Sequence, residues 1–226
     1  MKRAVVVVSV VVVVAAAVFG GCVGFAREGA VELATDNGTT DGWDVEVARA
    51  TRRVEPYDHA NRLADLRATL LTPRLRKAFL DERARFHGRF AKDTHQELVG
   101  LGTVDEGVDA TALAAPKSEE QVLVFVGFYA SDQKNRDLAV SGSIWDTELV
   151  RGATRVKPVH IDRVRMSPAV VDIYPWVDRY DDLYLVRFPL VDPPTGTSLM
   201  TPGPEPLRLQ VSSAIATASV SWSMSE

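Results

Sequence analysis

The sequence predicts a mainly β fold: an immunoglobulin-like antiparallel β-sandwich that carries a helix or a helical hairpin. Three observations lead to this prediction. Short segments with strand-like alternation recur from about residue 120 onward, with turn residues between them. Six prolines between Pro158 and Pro194 restrict several of these strands to edges or ends. A stretch of helical periodicity interrupts the strands at about residues 73–100.

The elements before residue 120 are predicted from a change of period. Apolar and charged residues alternate over residues 43–47 and again over residues 66–70, and each pattern predicts a strand. Thr72 then suits a helix N-cap, and Pro73 suits the first helical position. The following residues share about a third of the helical circumference: Leu71, Leu75, Ala78, Phe79, Glu82, Phe86 and Phe90. A second helical piece is predicted from about Arg89 to Val99.

The remainder of the chain is predicted to be β. Residues 122–129 are apolar on both faces, which is typical of a central buried strand. Residues 183–190 contain Tyr184 and Phe188 at the spacing that turns both rings to the core. Further strands are predicted at residues 144–150, 156–164, 207–211 and 218–224.

The first 22 residues have the three-part pattern of a secretory signal. Lys2 and Arg3 precede an apolar run, and small residues follow it. Those small residues, Gly20 and Gly21, stand directly before Cys22, the one cysteine of the chain. A thiolate at this position is a nucleophile that can accept a lipid.

The segment from Phe19 to Cys22 resembles the lipobox of the bacterial lipoprotein family. That motif is an apolar residue, usually leucine, then two small residues and an invariant cysteine. The resemblance implies a diacylglyceryl thioether on Cys22, cleavage between Gly21 and Cys22, and an acylated new N-terminus. The mature domain resembles uncharacterised lipoproteins, a resemblance that implies no activity. Val23 stands where aspartate can signal inner-membrane retention in the family, which favours the outer membrane in a two-membrane cell.

Two alternatives to the lipid anchor stay open. Ala4 to Ala26 is long enough to span a bilayer, which takes about 20 residues, so the segment could be an uncleaved anchor helix. A soluble secreted product is the other alternative. The lone cysteine favours the lipoprotein, because secreted domains either pair their cysteines or avoid them.

The predicted organisation has three parts. Residues 1–21 form the signal peptide, residues 22–42 the lipidated N-terminus and a polar tether, and residues 43–226 the sandwich domain. Without Lys2 and Arg3, the chain keeps 24 basic and 30 acidic residues. This acidic balance and export from the cytoplasm argue against a nucleic-acid partner.

A basic segment at residues 73–92 is the highest-ranked candidate site of the mature domain. Seven basic residues face only two acidic ones there. The segment predicts a docking surface for an anionic envelope component or a protein partner. The alternative is a solvated face whose arginine stems cover the apolar stripe. The candidate residues are Arg74, Arg76, Lys77, Arg83, Arg85 and Arg89.

Other polar motifs predict local structure rather than chemistry. The four histidines lack metal-binding spacing, so no metal site and no cofactor are expected. Ser131 and Lys134 have the spacing of serine–lysine acyl enzymes, but the companion motifs are missing. Carboxylates at residues 132–137 and 178–182 could hold calcium, although turns held by their own side chains explain both segments.

These observations favour a lipid-anchored cell-envelope protein that acts as a structural or binding module without catalysis. The expected partners are the membrane, through the lipid, and an anionic envelope component or protein. The alternatives are an envelope-polymer hydrolase or transferase, and a carrier of a small ligand between the helical hairpin and the sheet.

Overall fold

Two five-stranded sheets, one short hairpin and three α-helices make up the computed structural model over residues 30–32, 42–85 and 121–225, the part of the chain that it describes. In chain order the elements are β1 (Ala30–Glu32), α1 (Trp43–Ala50), β2 (Thr51–Val54), β3 (Tyr57–Asp58), β4 (Asn61–Arg62), β5 (Ala64–Leu70), α2 (Pro73–Arg85), β6 (Gln121–Ala130), β7 (Asp146–Arg151), β8 (Thr154–Val156), β9 (His160–Val164), α3 (Pro168–Ile173), β10 (Asp182–Pro189), β11 (Gly203–Ser212) and β12 (Thr217–Ser225).

The strand orders of the two large sheets place their first edge strands on one side of the molecule and their last edge strands on the other. Sheet A has the strand order β1-β12-β11-β7-β8, and sheet B has the order β2-β5-β6-β10-β9. Pairing is antiparallel throughout, except that β1 lies parallel to β12. Since β12 also lies close to β2 and β5, β1 and β2 define one side of the sandwich. The edge strands β8 and β9 define the other side.

The two sheets pack face to face around one apolar core. Along β12 the side chains alternate between buried and exposed, so that Trp222 and Met224 enter the core while the serines face outward. Tyr184, Val186 and Phe188 enter it from sheet B, as their spacing predicts. The predicted antiparallel sandwich with a helical insertion is therefore confirmed.

A helical layer covers the outer face of sheet B. Trp43 of α1, Phe79 of α2 and Ile173 of α3 are fully buried there. They pack on Phe125, which lies on the opposite face of β6 from the sandwich core. This second apolar layer explains why residues 122–129 are apolar on both faces.

The predicted strand at residues 43–47 is wrong, because this segment forms the helix α1. Trp43, Val47 and Ala50 are buried at helical spacing, whereas Val45 is 48% exposed. Three alternating residues are too few to separate a strand from a helix. Here the apolar surface of sheet B decides, because it buries the stripe of a helix.

The predicted single strand at residues 156–164 is also wrong. β8 belongs to sheet A and β9 to sheet B, and residues 157–159 cross between the sheets. Pro158 has no N–H to donate to a ladder, and therefore ends the strand. The predicted strand at 144–150 exists as β7, displaced by one or two residues.

The helix prediction at residue 73 is confirmed, and one further helix was missed. The Thr72 hydroxyl accepts the N–H of Leu75 at 3.1 Å, as an N-cap does. The second helical piece, from Arg89 to Val99, lies outside the described residues. α3 has the same start signal, with Ser167 as N-cap and Pro168 at the first position.

Part of the predicted tether forms a strand. Ala30–Glu32 pairs in register with Ser223–Ser225 at the edge of sheet A. α1 contacts this strand and packs against α2. The first described residue after Cys22 is therefore held on the β1–β2 side of the sandwich.

Candidate functional site

Gly20, Gly21 and Cys22, the residues that resemble a lipobox, lie outside the described residues, and so does the segment from Ala4 to Ala26 that was the alternative prediction of an anchor helix. Ala30 follows Cys22 by only eight positions. Because an extended chain spans at most about 3.5 Å per residue, Cys22 lies within about 28 Å of β1.

The basic segment is partly neutralised inside the fold. Arg74 donates from Nε at 3.1 Å and from Nη2 at 2.9 Å to one carboxylate oxygen of Glu46. Glu46 is only 3% exposed and also accepts from Arg49 at 2.9 Å. Lys77 pairs with Asp81 one helical turn away at 2.8 Å. Of the predicted docking residues, Arg74 therefore joins α2 to α1, and Lys77 pairs within α2.

The other predicted docking residues differ in their surroundings. Arg76 is half-buried beside Tyr174, and burial lowers the pKa of its guanidinium. Arg83 and Arg85 end α2, where the structure describes the backbone alone. Arg89 lies outside the described residues. Among the predicted docking residues whose side chains the structure describes, Lys77 has an ion pair that is more exposed to solvent than the pair of Arg74 with Glu46.

A buried carboxylate with three arginines lies on the outer face of sheet B. Asp65 is 2% exposed and accepts from Arg53 at 3.1 and 2.7 Å. Arg62 and Arg67 each donate to it at 3.2 Å. Glu55 accepts from Arg53 and Arg62 and balances part of their charge. No sequence spacing marks this cluster, because pairing across β2, β4 and β5 assembles it.

The cluster is closed by a tryptophan and a second buried carboxylate. The Arg67 guanidinium lies 3.9 Å from Asp181. Burial raises the pKa of Asp181, against the hydrogen bond from the N–H of Asp178 and the charge of Arg67, which both lower it. Trp176 covers Gly127 of β6, where an added β-carbon would lie 2.7 Å from the indole. These contacts define a closed structural network rather than an open site.

The two motifs weighed for serine–lysine chemistry or calcium form turns. Asp132 accepts from the N–H of Lys134 at 3.0 Å and from the amide of Asn135 at 2.8 Å. Within residues 178–182, Asp178 accepts the N–H of Tyr180 and donates its own N–H to Asp181. Both segments are held by their own side chains, as the turn interpretation predicts.

A polar relay fastens the loop between β6 and β7. The phenol of Tyr184 donates to Asp137 at 3.1 Å and accepts the N–H of Leu138 at 3.2 Å. Burial raises the pKa of Tyr184, so the phenol keeps its proton at neutral pH. Arg163 joins Asp137 to Asp182 with contacts of 3.1 and 2.6 Å.

An open groove lies beside this relay, on the β8–β9 side. Its volume is about 310 Å³. Two chain crossings between the sheets form its walls, the loop from β6 to β7 and the link from β8 to β9. The lining residues are Leu138, Val140, Gly142, Ser143, Trp145, Asp146, Thr147, Lys157, Pro158 and Ile161.

The histidines of the described ranges face carboxylates at the protein surface. His59 faces Asp58 at 3.0 Å, and His160 faces Asp162 at 2.8 Å. His87 and His95 lie outside those ranges. Within residues 42–85 and 121–225, no three histidine, cysteine or acidic side chains converge as metal ligands would.

Comparison with known proteins gives no relative: no family model, no curated protein and no solved structure matches this chain. None of the helices that the structure describes combines the length and the apolar character needed to cross a membrane.

Proposed function

We propose that this protein is a lipid-anchored module of the cell envelope that acts by binding. The lipobox-like residues before Cys22 and the short link to β1 together support the proposal. The observation that carries it is the parallel pairing of β1 with β12, because it limits the free tether to about 28 Å. The domain is then held close to the membrane on its β1–β2 side.

The helical layer lies on this anchored side. α1 contacts β1, and α2 packs against α1. α2 is therefore carried on the anchored side, where anionic head groups attract lysine and arginine. This placement supports an anionic membrane component as the partner of Lys77, Arg83 and Arg85, with the outer membrane preferred in a two-membrane cell.

The opposite side of the molecule then points away from the membrane. β8 is four strand positions from β1 in sheet A, and β9 is four from β2 in sheet B. The groove is lined by β7, three positions from β1, and by β9, so that at about 4.8 Å per strand it lies about 14–19 Å from the anchored side. In this proposal the β1–β2 side of the module is attached to the membrane, and the β8–β9 side is available to partners in the envelope space.

The alternative of a carrier with a ligand between helices and sheet finds no support from the packing. Tyr174 stacks on Phe125 with ring centroids 3.9 Å apart, and Trp43 meets Phe79 edge to face at 5.6 Å. These rings fill the space that such a ligand would occupy. No arrangement of the described residues specifically favours the hydrolase or transferase alternative.

Acyl labelling tests the anchor. The wild-type chain, expressed in a bacterium with labelled palmitate, is expected to take up label and to lose residues 1–21. Cys22→Ser is expected to take up none and to remain an uncleaved precursor. An unlabelled wild-type chain that keeps residues 1–21 would establish the uncleaved anchor helix instead.

Two single-cysteine variants test the orientation. Lipidation consumes the thiol of Cys22, so that Val45→Cys and Val159→Cys would each carry one free thiol. Both valines are exposed, at 48% and 62%, on the anchored and the distant side respectively. A fluorophore at residue 45 is expected to be quenched more strongly by a head-group quencher than one at residue 159. Equal quenching would overturn the orientation while leaving the acylation result intact.

A further inference from the structure

Thr147, one of the residues that line the groove on the β8–β9 side, has a buried hydroxyl. Thr147 is 4% exposed, and its side chain projects between the sheets from β7. Its Oγ1 has no hydrogen-bond partner among the described residues. A buried hydroxyl without a partner costs free energy, which a hydrogen-bonding group that enters the groove would recover.

The walls above this hydroxyl are apolar. Leu138 and Trp145 belong to the sandwich core, and Ile161 packs against it from β9. Val140 stands at the mouth and is 54% exposed. An occupant with an apolar body would therefore bury surface on both sheets while its polar end reaches Thr147.

The rim of the groove is close to electrically neutral. The ammonium group of Lys157 forms an ion pair with Asp146 and lies 3.4 Å from Glu148. Glu148 also pairs with Arg155 at 3.1 Å. These two cations and two carboxylates balance each other, so the rim supplies no net charge to hold an ionised ligand.

The neighbouring strand edges are protected against an added peptide strand. β8 is only three residues long. β9 carries Arg163 on the face that it shares with Tyr184 in the core, and this guanidinium is tied to Asp137 and Asp182. A short edge strand and an inward charge are devices that prevent strand addition. The occupant is therefore better matched by a small molecule than by an extended peptide.

We propose that the groove between β7 and β9 is a binding site for a small uncharged molecule with an apolar body and one hydroxyl or amide group. The polar group pairs with the Thr147 hydroxyl, and the body lies against Leu138, Trp145 and Ile161. The volume of about 310 Å³ is at the lower end of known small-ligand sites, which start at roughly 300 Å³. The site does not depend on lipidation of Cys22.

Fluorine NMR of the full chain, in lipid nanodiscs and with 5-fluorotryptophan at its four tryptophans, tests the site. The probes are benzyl alcohol and toluene, which share the ring and differ in the hydroxyl. Benzyl alcohol is expected to shift the Trp145 signal and to leave those of Trp43, Trp176 and Trp222 in place. Trp145→Phe assigns the signal. A shift of all four signals, or of none, would overturn the proposal.

Thr147→Val tests whether the hydroxyl of Thr147 binds the ligand or has only a structural role. The variant is expected to weaken benzyl alcohol binding by about fivefold, the value of one neutral hydrogen bond, with toluene binding unchanged. The unliganded variant is expected to be at least as stable as the wild type, because it removes an unpaired polar group. Lower stability with unchanged probe binding would assign the hydroxyl to an ordered water only and overturn the proposal.

A second variant keeps the test valid if Thr147→Val fails to fold. Val140→Trp places a large ring across the mouth of the groove at an exposed position. It is expected to abolish the response of Trp145 to both probes, and Ile215→Trp, in the exposed turn between β11 and β12, is the matched control. The proposal excludes an extended peptide as the occupant. Binding of acetylated peptides to the groove without binding of benzyl alcohol or toluene would therefore also contradict it.

Discussion

The indole N–H of Trp222 donates to the carbonyl of Ala50 at 2.7 Å, across 172 positions of the chain. Trp222 lies in the last strand of sheet A, and Ala50 is the last residue of α1, directly before sheet B. This hydrogen bond therefore joins sheet A to the helical layer, at the point where the chain enters sheet B. The same ring is fully buried in the sandwich core.

Replacement of Trp222 should separate packing from hydrogen bonding. Trp222→Ala is expected to lower the free energy of unfolding by about 3–5 kcal/mol, as large-to-small core changes do. Trp222→Phe keeps most of the ring but removes the donor to Ala50, and is expected to cost about 1–3 kcal/mol. Urea unfolding measures both. Equal losses in the two variants would contradict the role of the hydrogen bond.

Gly127 should tolerate no side chain while Trp176 covers it. An added β-carbon would lie 2.7 Å from the indole, so Gly127→Ala is expected to cost about 1–3 kcal/mol through overpacking. Trp176→Leu should cost stability as well, since the indole N–H donates to Thr69 at 3.0 Å. The double variant should lose less than the sum, because the smaller side chain leaves room. Strict additivity in urea unfolding would show that the two positions do not meet.

The Asp65 cluster should depend on its central carboxylate. Asp65→Asn is expected to cost about 3–5 kcal/mol, because it leaves the charges of Arg53, Arg62 and Arg67 without their buried partner. Asp81→Asn is the matched control. Its pair with Lys77 is partly exposed to solvent, so the loss there should stay below about 1 kcal/mol. Similar losses at both positions would show that burial contributes nothing to the cluster.

The sequence was informative where periodicity and burial agree. β12 alternates serine with apolar residues, and its structure follows that pattern residue by residue. The start of α2 was predictable because Thr72 and Pro73 act locally. The strand prediction at residues 43–47 was wrong because three alternating positions are compatible with a strand and with a helix. Their state depends on the apolar face of sheet B, which distant residues build.

The polar sites were less predictable than the fold. The Asp65 cluster joins residues of three strands, and no sequence spacing marks it. The partner of Arg74 is Glu46, 28 positions away and in a segment that was predicted as a strand. The groove is formed by two chain crossings, and one of them lies inside a predicted single strand. Contacts of this kind follow from topology rather than from local composition.

Asp181 should make stability depend on pH in an identifiable direction. Burial raises its pKa above the ordinary value of 3.8, so the folded protein holds this proton more tightly than the unfolded chain. The stabilisation that the protonated Asp181 gives to the folded protein is therefore complete at pH values below the pKa of Asp181 in the unfolded chain. It is lost as the pH rises through the pKa of Asp181 in the folded protein. Asp181→Asn removes this loss. The stability of the variant relative to the wild type is expected to rise from about pH 3 to pH 7.

Urea unfolding at several pH values checks this expectation. Asp172→Asn, which makes the same change on the exposed surface, is the matched control. A relative stability of Asp181→Asn that falls with rising pH would mean that the charge of Arg67 outweighs burial at this carboxylate.

The basic segment should divide into structural and surface charges. Arg74→Gln is expected to cost about 1–3 kcal/mol, because Glu46 is buried and loses two hydrogen bonds. Lys77→Gln should cost less than about 1 kcal/mol, since its pair with Asp81 is partly exposed to solvent. Phe79→Ala should cost about 3–5 kcal/mol, because the ring is fully buried in the helical layer. These three urea midpoints show which basic residues can be changed without damage to the fold.

Membrane docking can then be tested without disturbing the buried pair of Arg74 and Glu46. The combined variant of Lys77, Arg83 and Arg85 to Gln leaves the pair of Arg74 and Glu46 in place. With residues 1–22 removed, and with them the apolar signal segment and the acylation site, the parent chain is expected to cosediment with vesicles that contain phosphatidylglycerol, and not with neutral phosphatidylcholine vesicles. High salt should release it, because exposed charges are screened beyond about 8 Å at physiological ionic strength. The combined variant should bind weakly even at low salt. A parent chain that binds neither kind of vesicle at low salt would make these charges a solvated face.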